Sequence, residues 1–345
     1  IGFFYVVHLG HNYLLEQLKS EAQQRNMQSV VVTFANHPRL FFDPNCGLKQ
    51  LTLSDDKVTL LKQNGVDEVV ILQFDEHLSK LTSREFMQLL VEKYGVKLLL
   101  MGYDHRFGSD RNTSFDEYIE YGSQLGLKIK RCDGFSESEV MVSSSKVRRA
   151  LELWDIPLAN KLLGYKYFIK GRVVDGKKIG RQIGFPTANL EVDPLKLIPS
   201  DGVYVVDVEV EGVGYRGVLN IGTRPTVSGD ERTIEVHIIN FTGNLYGKEI
   251  ELKFLQFLRH EMKFSSLDEL RTQIQKDIDQ AAKQGEIIYI DVKMLFISIM
   301  SLNIFTFIAY PFMEPLMGDL MTDRQKFLNE RKAENVETIL KRLRI

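Results

Sequence analysis

The hydrophobic pattern of this chain changes its period near Gly164, and this change limits the fold more than any other feature of the sequence. Up to residue 163, short apolar runs alternate with segments of helical periodicity. Further along, short alternating or β-branched runs follow one another closely and are separated by glycine-containing turns. The change predicts two domains of different architecture, which suits a chain of 345 residues at about 100–200 residues per domain.

Residues 1–163 have the pattern of a doubly wound, Rossmann-like α/β domain. Strand-like runs lie at 1–7, 29–35, 67–74 and 96–102, and helical segments lie at 11–25, 54–64 and 83–94. Thr82 and Glu85 are placed to form a capping box, and Gly95 is placed to end that helix. Strands that are apolar on both faces and separated by helices predict a parallel sheet covered on both sides. Because the chain starts at Ile1 inside an apolar run, we expect the first strand to be entered part-way.

Residues 164–288 have the pattern of a small antiparallel β-barrel followed by one helix. The strand-like runs lie at 167–174, 202–210, 215–222, 232–240 and 249–259. The segment 265–285 is amphipathic, with Ser266 and Glu269 placed as a capping box and Gly285 as a stop. The predicted fold class is therefore α/β, with a Rossmann-like domain followed by a β-barrel and a C-terminal helix.

Composition excludes several classes of function. The chain has 44 Lys and Arg against 46 Asp and Glu, a net charge of −2, and 44% hydrophobic residues, so neither a disordered chain nor a strongly basic nucleic-acid binder fits. Cys46 and Cys132 lie far apart, which supports neither a disulfide framework nor a cysteine-rich zinc site. We expect a cytoplasmic protein that binds small molecules and no nucleic acid.

Residues 289–345 form a tail of different composition. Within it, residues 294–313 carry no charge over 20 positions, close to the ~20 apolar residues that span a bilayer. Three explanations stay open: a membrane anchor, a hydrophobic helix packed on another protein, and a fused or wrongly assigned reading frame. Basic residues beyond the run favour a cytoplasmic C-terminus, and a single span cannot also leave the preceding domains in the cytoplasm.

His8-Leu9-Gly10-His11 lies where the first predicted strand ends and a helix begins. A helix N-terminus offers unpaired N–H groups, Gly10 lets the main chain approach an anion, and two imidazoles can donate to phosphate oxygens. At the carboxyl end of a strand in an α/β fold, this pattern predicts a triphosphate site. A metal-binding pair or two solvated histidines are the alternatives.

Three further segments carry groups suited to phosphate chemistry. Ser143–Ser145 are placed to cap a helix whose first turn presents Lys146 and Arg148 to an anion, although an ordinary N-cap has the same pattern. Thr187 and Asn189 lie on one face of an extended segment, where a hydroxyl and an amide oxygen can ligate Mg²⁺. The glycines nearby predict a mobile loop over phosphates, and surface hairpins also use glycine freely; these are Gly176, Gly180 and Gly184.

Four sequence blocks in the first part resemble the adenylyltransferase module of bacterial bifunctional riboflavin kinase/FAD synthetases. They are His8-Leu9-Gly10-His11 preceded by Gly2-Phe3-Phe4, Thr33-Phe34 with His37-Pro38-Arg39, Gly102-Tyr103-Asp104-His105-Arg106-Phe107-Gly108, and Ser143-Ser144-Ser145-Lys146-Val147-Arg148. The resemblance implies that ATP phosphates are held by His8, Gly10, His11, Ser144 and Arg148. It places a second group around the flavin and nucleotide, namely His37, Arg39, Asp104 and Arg106.

Residues 165–282 are similar to the riboflavin kinase module of the same family, most specifically in Pro186-Thr187-Ala188-Asn189. The resemblance implies that Thr187 and Asn189 bind Mg·ATP with Gly180 and Gly184, and that Glu235 is the general base. Glu235 is flanked by Ile234 and Val236 on a predicted strand, where a solvated carboxylate is the alternative. Arg259 is expected to hold the flavin or a phosphate, or else to be an ordinary surface arginine.

The resemblance implies phosphorylation of riboflavin to FMN and adenylylation of FMN to FAD, with ATP as co-substrate and Mg²⁺ as cofactor. Tyr5, Val6 and Ala35 depart from the aspartate, glycine and aspartate usual in the family, and we expect Val6 to resist the conformation of a glycine. Two alternatives follow: a riboflavin kinase with a non-catalytic first domain, and a flavin-binding regulatory protein docked at a membrane or partner through residues 294–313.

Overall fold

The structure is a computed structural model that describes residues 1–102, 105–110, 112–132, 142–176, 179–226 and 229–283. Asp104 and the apolar run at 294–313 lie outside the described residues. The chain forms two compact units. The first comprises Ile1–Lys177 and Thr187–Glu261, and the second comprises Lys178–Pro186 and the described residues from Met262 onward.

The first part of the chain alternates helices with short strands. Its helices are α1 (Leu9–Gln24), α2 (Pro38–Phe42), α3 (Ser54–Gln63), α4 (Glu76–Lys80), α5 (Ser83–Tyr94), α6 (Phe115–Gln124), α7 (Ser144–Glu152) and α8 (Ile156–Leu163). Its strands are β1 (Val30–Phe34), β2 (Glu68–Leu72), β3 (Leu98–Met101) and β4 (Lys128–Arg131). β1 pairs with β2 and β3 pairs with β4, both in parallel, as expected for an α/β domain.

Helix α5 confirms the capping prediction. The Thr82 side chain accepts a hydrogen bond from the Glu85 N–H, the Glu85 carboxylate accepts one from the Thr82 N–H, and Gly95 ends the helix with a φ of +63°. Strand β4 has no counterpart in the predicted strands, because its Lys-Ile-Lys-Arg sequence lacks an apolar run. Its residues are mostly exposed, as the polar sequence requires.

The predicted strand at residues 1–7 is wrong. Gly2 N–H donates to Val32 O at 3.1 Å, so the segment starts alongside β1, but Phe4 has a φ of +44° and interrupts the extended backbone. The expected strain at Val6 is also misplaced, because the positive φ falls on Phe4. Val6 is fully buried in a hydrophobic cluster that includes Val147 and Leu151.

The second part confirms the barrel. Its strands are β5 (Phe168–Val174), β6 (Thr187–Val192), β7 (Gly202–Val210), β8 (Val213–Thr226), β9 (Gly229–Ile238) and β10 (Glu249–Arg259). They close in the order β10-β5-β6-β9-β8-β7, and all six pairings are antiparallel. The inward side chains fill the barrel, among them the fully buried Tyr204 and Phe254, whose rings meet edge to face at 5.3 Å.

One segment of the first part, residues 50–57, binds the barrel directly. Gln50 forms a parallel bridge with Lys196: Gln50 N–H donates to Leu195 O at 2.6 Å, and Leu197 N–H donates to Gln50 O at 2.7 Å. A few residues later, the Lys170 ammonium donates to the buried Asp56 carboxylate at 2.7 Å. The α/β part and the barrel therefore share backbone and charged contacts within the first unit.

The buried Lys196 side chain completes that contact. Its ammonium donates to Leu51 O at 2.7 Å and lies 4.7 and 4.9 Å from the ring centres of Tyr167 and Phe168. Burial lowers the pKa of Lys196 from 10.5 to about 7, because the charged form loses its hydration. The ammonium thus contacts a carbonyl and two ring faces, and the nearby charges of Asp56 and Glu251 offset part of the effect of burial.

The second unit contains α9 (Ile179–Gln182) and α10 (Leu267–Lys283). The Glu269 N–H donates to Ser266 Oγ at 3.2 Å, as predicted, but the Glu269 carboxylate accepts from Ser265 and so the box is shifted by one residue. Among the described residues, no helix is both long enough and apolar enough to cross a bilayer.

Barrel stability should depend strongly on Phe254. Phe254→Ala leaves a cavity at a fully buried site and should lower the free energy of unfolding by about 3–5 kcal/mol. Phe42→Ala removes the same group from a side chain that is 66% exposed and should cost less than about 0.5 kcal/mol. Urea unfolding of both variants measures the difference, and equal losses would contradict the packing assigned to Phe254.

Candidate functional site

The imidazole of His8 caps helix α1. Its Nδ1 accepts a hydrogen bond from the His11 N–H at 3.3 Å, and the two rings stack with their centres 3.9 Å apart. Because Nδ1 accepts, the neutral His8 ring carries its proton on Nε2, where it can donate to a ligand. The His-x-Gly-His segment, including Gly10, therefore lies at the start of a helix as predicted, with one imidazole fixed by the cap.

Both histidines of this segment are held in the neutral form. Burial lowers the pKa of His8 from 6.5 to about 4, and burial together with the neighbouring His8 lowers the pKa of His11 to about 3. His11 Nδ1 is buried and has no hydrogen-bond partner among the described residues. A neutral ring at a helix N-terminus can donate to an anion without requiring a counter-charge, and the Nε2–H of His8 is placed to do so.

His37 caps the short helix α2, which follows β1. Its Nδ1 accepts from the Arg39 N–H at 2.9 Å, and its ring stacks on Tyr5 at 4.1 Å between centres. Burial, followed by the charges of Arg39, Arg148 and Lys57, lowers the pKa of His37 to about 4. The structure thus brings together two residues from separate predicted blocks, His37 and Arg148, and adds Lys57.

The serine block caps helix α7, as predicted. Ser143 Oγ accepts from the Lys146 N–H at 3.3 Å, and Ser144 is the first helical residue. Arg148 follows on the same helix and is half-buried, so its charge acts on His37 in a partly desolvated setting. Helix α7 therefore presents its N-terminus and a guanidinium in the same region of the first part.

A cavity of about 650 Å³ lies beside these groups and is lined largely by apolar side chains, with phenylalanine and tyrosine rings prominent among them. Phe3, Tyr5 and His37 form a continuous stack, because the Phe3 and Tyr5 ring centres are 5.2 Å apart. Arg106 lines the same cavity, whereas Asp104 of the same predicted block lies outside the described residues. Further rings line the wall: Phe34, Phe42, Phe74, Phe86 and Phe107. A flat aromatic ligand suits such a wall.

In the barrel, strand pairing places the predicted kinase residues in one row. Asn189 on β6 lies opposite Glu235 on β9, and Glu235 lies opposite Asn220 on β8. Asn220 lies opposite Val203 on β7, and Val203 lies opposite Arg259 on β10. Neighbouring strands are about 4.8 Å apart, so residues far apart in sequence share one level of the barrel.

Two oxygen-bearing groups of β6 lie close to Glu235 or to the loop before that strand. Thr187 Oγ1 lies 3.4 Å from Glu235 Oε2, and the Asn189 amide rests against Gly176, where a Cβ would come within 2.2 Å of Asn189 Nδ2. A side chain at residue 176 would therefore have to displace the Asn189 amide. Gly180 lies in α9 and Gly184 has a φ of +85°, and both belong to the second unit.

Comparisons with known proteins match both parts. The FAD synthetase family model matches residues 1–146, and the riboflavin kinase family model matches residues 163–284. Bifunctional riboflavin kinase/FMN adenylyltransferases from Pseudomonas fluorescens and Escherichia coli K12 are 39% and 41% identical to this chain. They cover 81% and 80% of it, and the matches span 90% and 89% of those proteins.

The chain belongs to the bifunctional riboflavin kinase/FMN adenylyltransferase family. A crystal structure described as a macrolide-efflux protein from Streptococcus pneumoniae is similar in fold, with a TM-score of 0.75 and 30% identity over 82% of this chain and 92% of that one. Membership in the family confirms the resemblance stated from the motifs and the predicted fold class.

The sequence did not single out several residues that the structure brings to these sites. Lys57 lies in the predicted helical segment 54–64, and Asn220 lies in the predicted strand 215–222, and neither position carried a functional signal. The aromatic wall comes from separate elements, and only the high phenylalanine content, 21 residues, hinted at it. Pairing register would have identified Asn220, because it lies directly opposite Glu235.

The loss of folding stability at low pH should depend on the neutral state of His8. Because the native ring is harder to protonate than the unfolded one, the unfolded chain binds protons first, and stability falls as the pH drops from about 6.5 towards 4. His8→Asn keeps a side-chain oxygen for the cap but removes the titration. Urea unfolding between pH 6.5 and 4 should show a smaller loss of unfolding free energy for the variant than for the wild type. At pH 7.5 the two chains should have similar stability. An unchanged slope would contradict the lowered pKa.

Proposed function

We propose that this chain carries out both activities of its family, with the barrel phosphorylating riboflavin to FMN and the α/β part adenylylating FMN to FAD, each with ATP. The observation that carries the kinase assignment is the row Asn189, Glu235, Asn220 across three adjacent strands. The matches to both family models favour this function over a non-catalytic first domain or a regulatory protein.

The kinase step needs a base and an aligned phosphate. Glu235 accepts the proton of the terminal ribityl hydroxyl as that oxygen attacks the γ-phosphorus of ATP and ADP leaves. Ile234 and Val236 are buried on either side, whereas Glu235 is half-buried on the opposite face of the strand. Arg259 lies in the same row and is proposed to bind the flavin or a phosphate.

Thr187 and Asn189 fit a Mg²⁺ site. They offer a hydroxyl and an amide oxygen on one face of β6. Hard, mostly neutral oxygen ligands suit Mg²⁺ that also binds phosphate, and bound Mg²⁺ would neutralise charge on the transferred phosphoryl group. The assignment of Gly180 and Gly184, which belong to the second unit, to ATP binding stays a prediction.

In the α/β part, the FMN phosphate attacks the α-phosphorus of ATP and pyrophosphate leaves. His8, Gly10, His11, Ser144 and Arg148 are proposed to hold the ATP phosphates, through the starts of α1 and α7. His37, Arg39, Asp104 and Arg106 are proposed around the flavin and nucleotide, with the isoalloxazine ring in the aromatic cavity. The attacking phosphate is already ionised, so the step needs cations and donors rather than a base.

We also propose the domain limits 1–163 for the adenylyltransferase and 164–288 for the kinase, which the ranges of the two family models support. Residues 289–345 are left without a proposed role. The cytoplasmic location and the contact through residues 294–313 stay predictions.

Glu235→Gln separates the two activities. In an incubation with riboflavin, ATP and Mg²⁺ resolved by chromatography, the wild-type chain should form FMN and FAD. The variant should form FMN ~10²–10⁴ times more slowly than the wild type, because glutamine keeps the shape of the glutamate side chain but cannot accept the proton. Supplied with FMN, it should form FAD at the wild-type rate. No FMN from the wild type would contradict the kinase assignment, and a near-normal rate in the variant would exclude Glu235 as the base.

Asn189→Ala should raise the Mg²⁺ concentration needed for half-maximal FMN formation, because one oxygen ligand is lost. Excess Mg²⁺ should restore part of the rate. Asn220→Ala is the matched control, since it removes the same amide from the other side of Glu235. A Mg²⁺ titration of both variants tests the site, and an equal shift for both would argue against a ligand role specific to Asn189.

A further inference from the structure

Lys57 on helix α3 is a buried cation that the proposed mechanism does not use. Its side chain points to the start of the chain and the end of β1, and the residue is only 6% exposed. The ammonium donates to Phe34 O at 2.8 Å, to Phe3 O at 3.2 Å and to Thr33 Oγ1 at 3.4 Å. All three acceptors are neutral.

Among the described residues, Lys57 has no ion-paired carboxylate. The adjacent Asp56 is engaged by Lys170 at 2.7 Å. Burying an ammonium with neutral acceptors alone is costly, and this burial lowers the pKa of Lys57 from 10.5 to about 8. A cation kept under these conditions points to a counter-charge that arrives with a ligand.

The surroundings of Lys57 are positive. Its charge acts on His37 together with those of Arg39 and Arg148, and all three lower the pKa of that imidazole. The three cations come from α3, α2 and α7, so separate elements converge on one place. Such a cluster suits a polyphosphate, whose charge compensates all three at once.

The two carbonyls that Lys57 binds belong to Phe3 and Phe34, and both rings line the aromatic cavity. Their ring centres are 4.7 Å apart. Phe3 lies five residues before His8, and Phe34 lies three residues before His37. One ammonium therefore fixes the spacing of the two loops that carry the proposed nucleotide groups and the wall of the flavin cavity.

We propose that Lys57 is a positioning residue for FMN adenylylation: it holds the loops that begin at Phe3 and Phe34 and supplies positive charge behind the ATP phosphates. This inference rests on the proposed function of the α/β part. It assigns Lys57 no contact with the reacting atoms. Because the kinase site is separate, loss of Lys57 should affect one activity only.

Lys57→Met and Thr33→Val form a matched pair for the test. Lys57→Met removes the charge and its hydrogen bonds, whereas Thr33→Val removes the Thr33 Oγ1 bonds to Lys57 and Phe3 and leaves the charge. In the full chain, Lys57→Met should lower the rate of FAD formation ~10–100-fold, the scale of a misplaced reacting group. Thr33→Val should lower it less than ~3-fold, and FMN formation should be unchanged in both.

The pH profile of FAD formation separates the effect of the Lys57 charge from a purely structural effect of that side chain. The groups facing Lys57 are His37, Tyr5, Arg39, Arg148 and Asp56, which is salt-bridged to Lys170; burial lowers the pKa of His37 to about 4 and raises that of Tyr5, so neither ring changes its charge between pH 7 and 9. FAD formation by the wild type should therefore fall, relative to FMN formation, as the pH rises from 7 to 9 and Lys57 loses its proton. The Lys57→Met chain should lack this fall.

Three outcomes would overturn the inference. The first is an equal rate of FAD formation in Lys57→Met and wild type, and the second is an equal loss of that rate in Lys57→Met and Thr33→Val. The third is a wild-type pH profile in which FAD formation does not fall between pH 7 and 9, a measurement that decides the question even if Lys57→Met misfolds and loses both activities. Arg148→Ala distinguishes the proposal from its premise. If Arg148→Ala lowers FAD formation and Lys57→Met does not, only the role of Lys57 fails; if neither does, the proposed nucleotide site fails.

Discussion

The segment from Gln50 to Lys57 holds the two catalytic parts of the first unit together. Its first residue pairs with the barrel backbone, Asp56 binds Lys170 on β5, and Lys57 turns the other way to bind Phe3 and the end of β1. Eight consecutive residues thus contact both parts. The two buried ammonium groups, Lys57 and Lys196, donate mostly to main-chain carbonyls. Each buried lysine therefore holds the backbone of a neighbouring segment in place.

Closure of the barrel brings the predicted kinase residues together, just as the segment from Gln50 to Lys57 brings the α/β part and the barrel together. Asn189 and Arg259 are 70 residues apart in sequence, and strand pairing places them in one row with Glu235 between them. In a closed antiparallel sheet, register is set by every strand at once, because a slip of one residue would turn Glu235 into the core and Val236 out of it. The packing of the buried Val236 and its neighbours therefore fixes the position of Glu235.

Sequence pattern predicted the parts of this fold that depend on local periodicity, and it missed those that depend on partners distant in the chain. Helix α5 and its cap follow from residues 82–95 alone, and the Pro-Thr-Ala-Asn block identified the kinase. The segment 1–7 is apolar like a strand, yet Phe4 turns it aside, and its carbonyl at Phe3 is bound by Thr33 and Lys57. No local pattern encodes those long-range bonds, so Lys57 could not be distinguished from any helical lysine.

The two sites differ in charge as their proposed reactions require. A ribityl hydroxyl must lose a proton to become a nucleophile, and the barrel row offers the carboxylate of Glu235 between two amides. A phosphate is already an anion, and a carboxylate beside it would repel it. The α/β part accordingly gathers Arg39, Arg148 and Lys57 and keeps His8, His11 and His37 neutral by burial, an arrangement of cations and neutral groups that suits an anionic substrate.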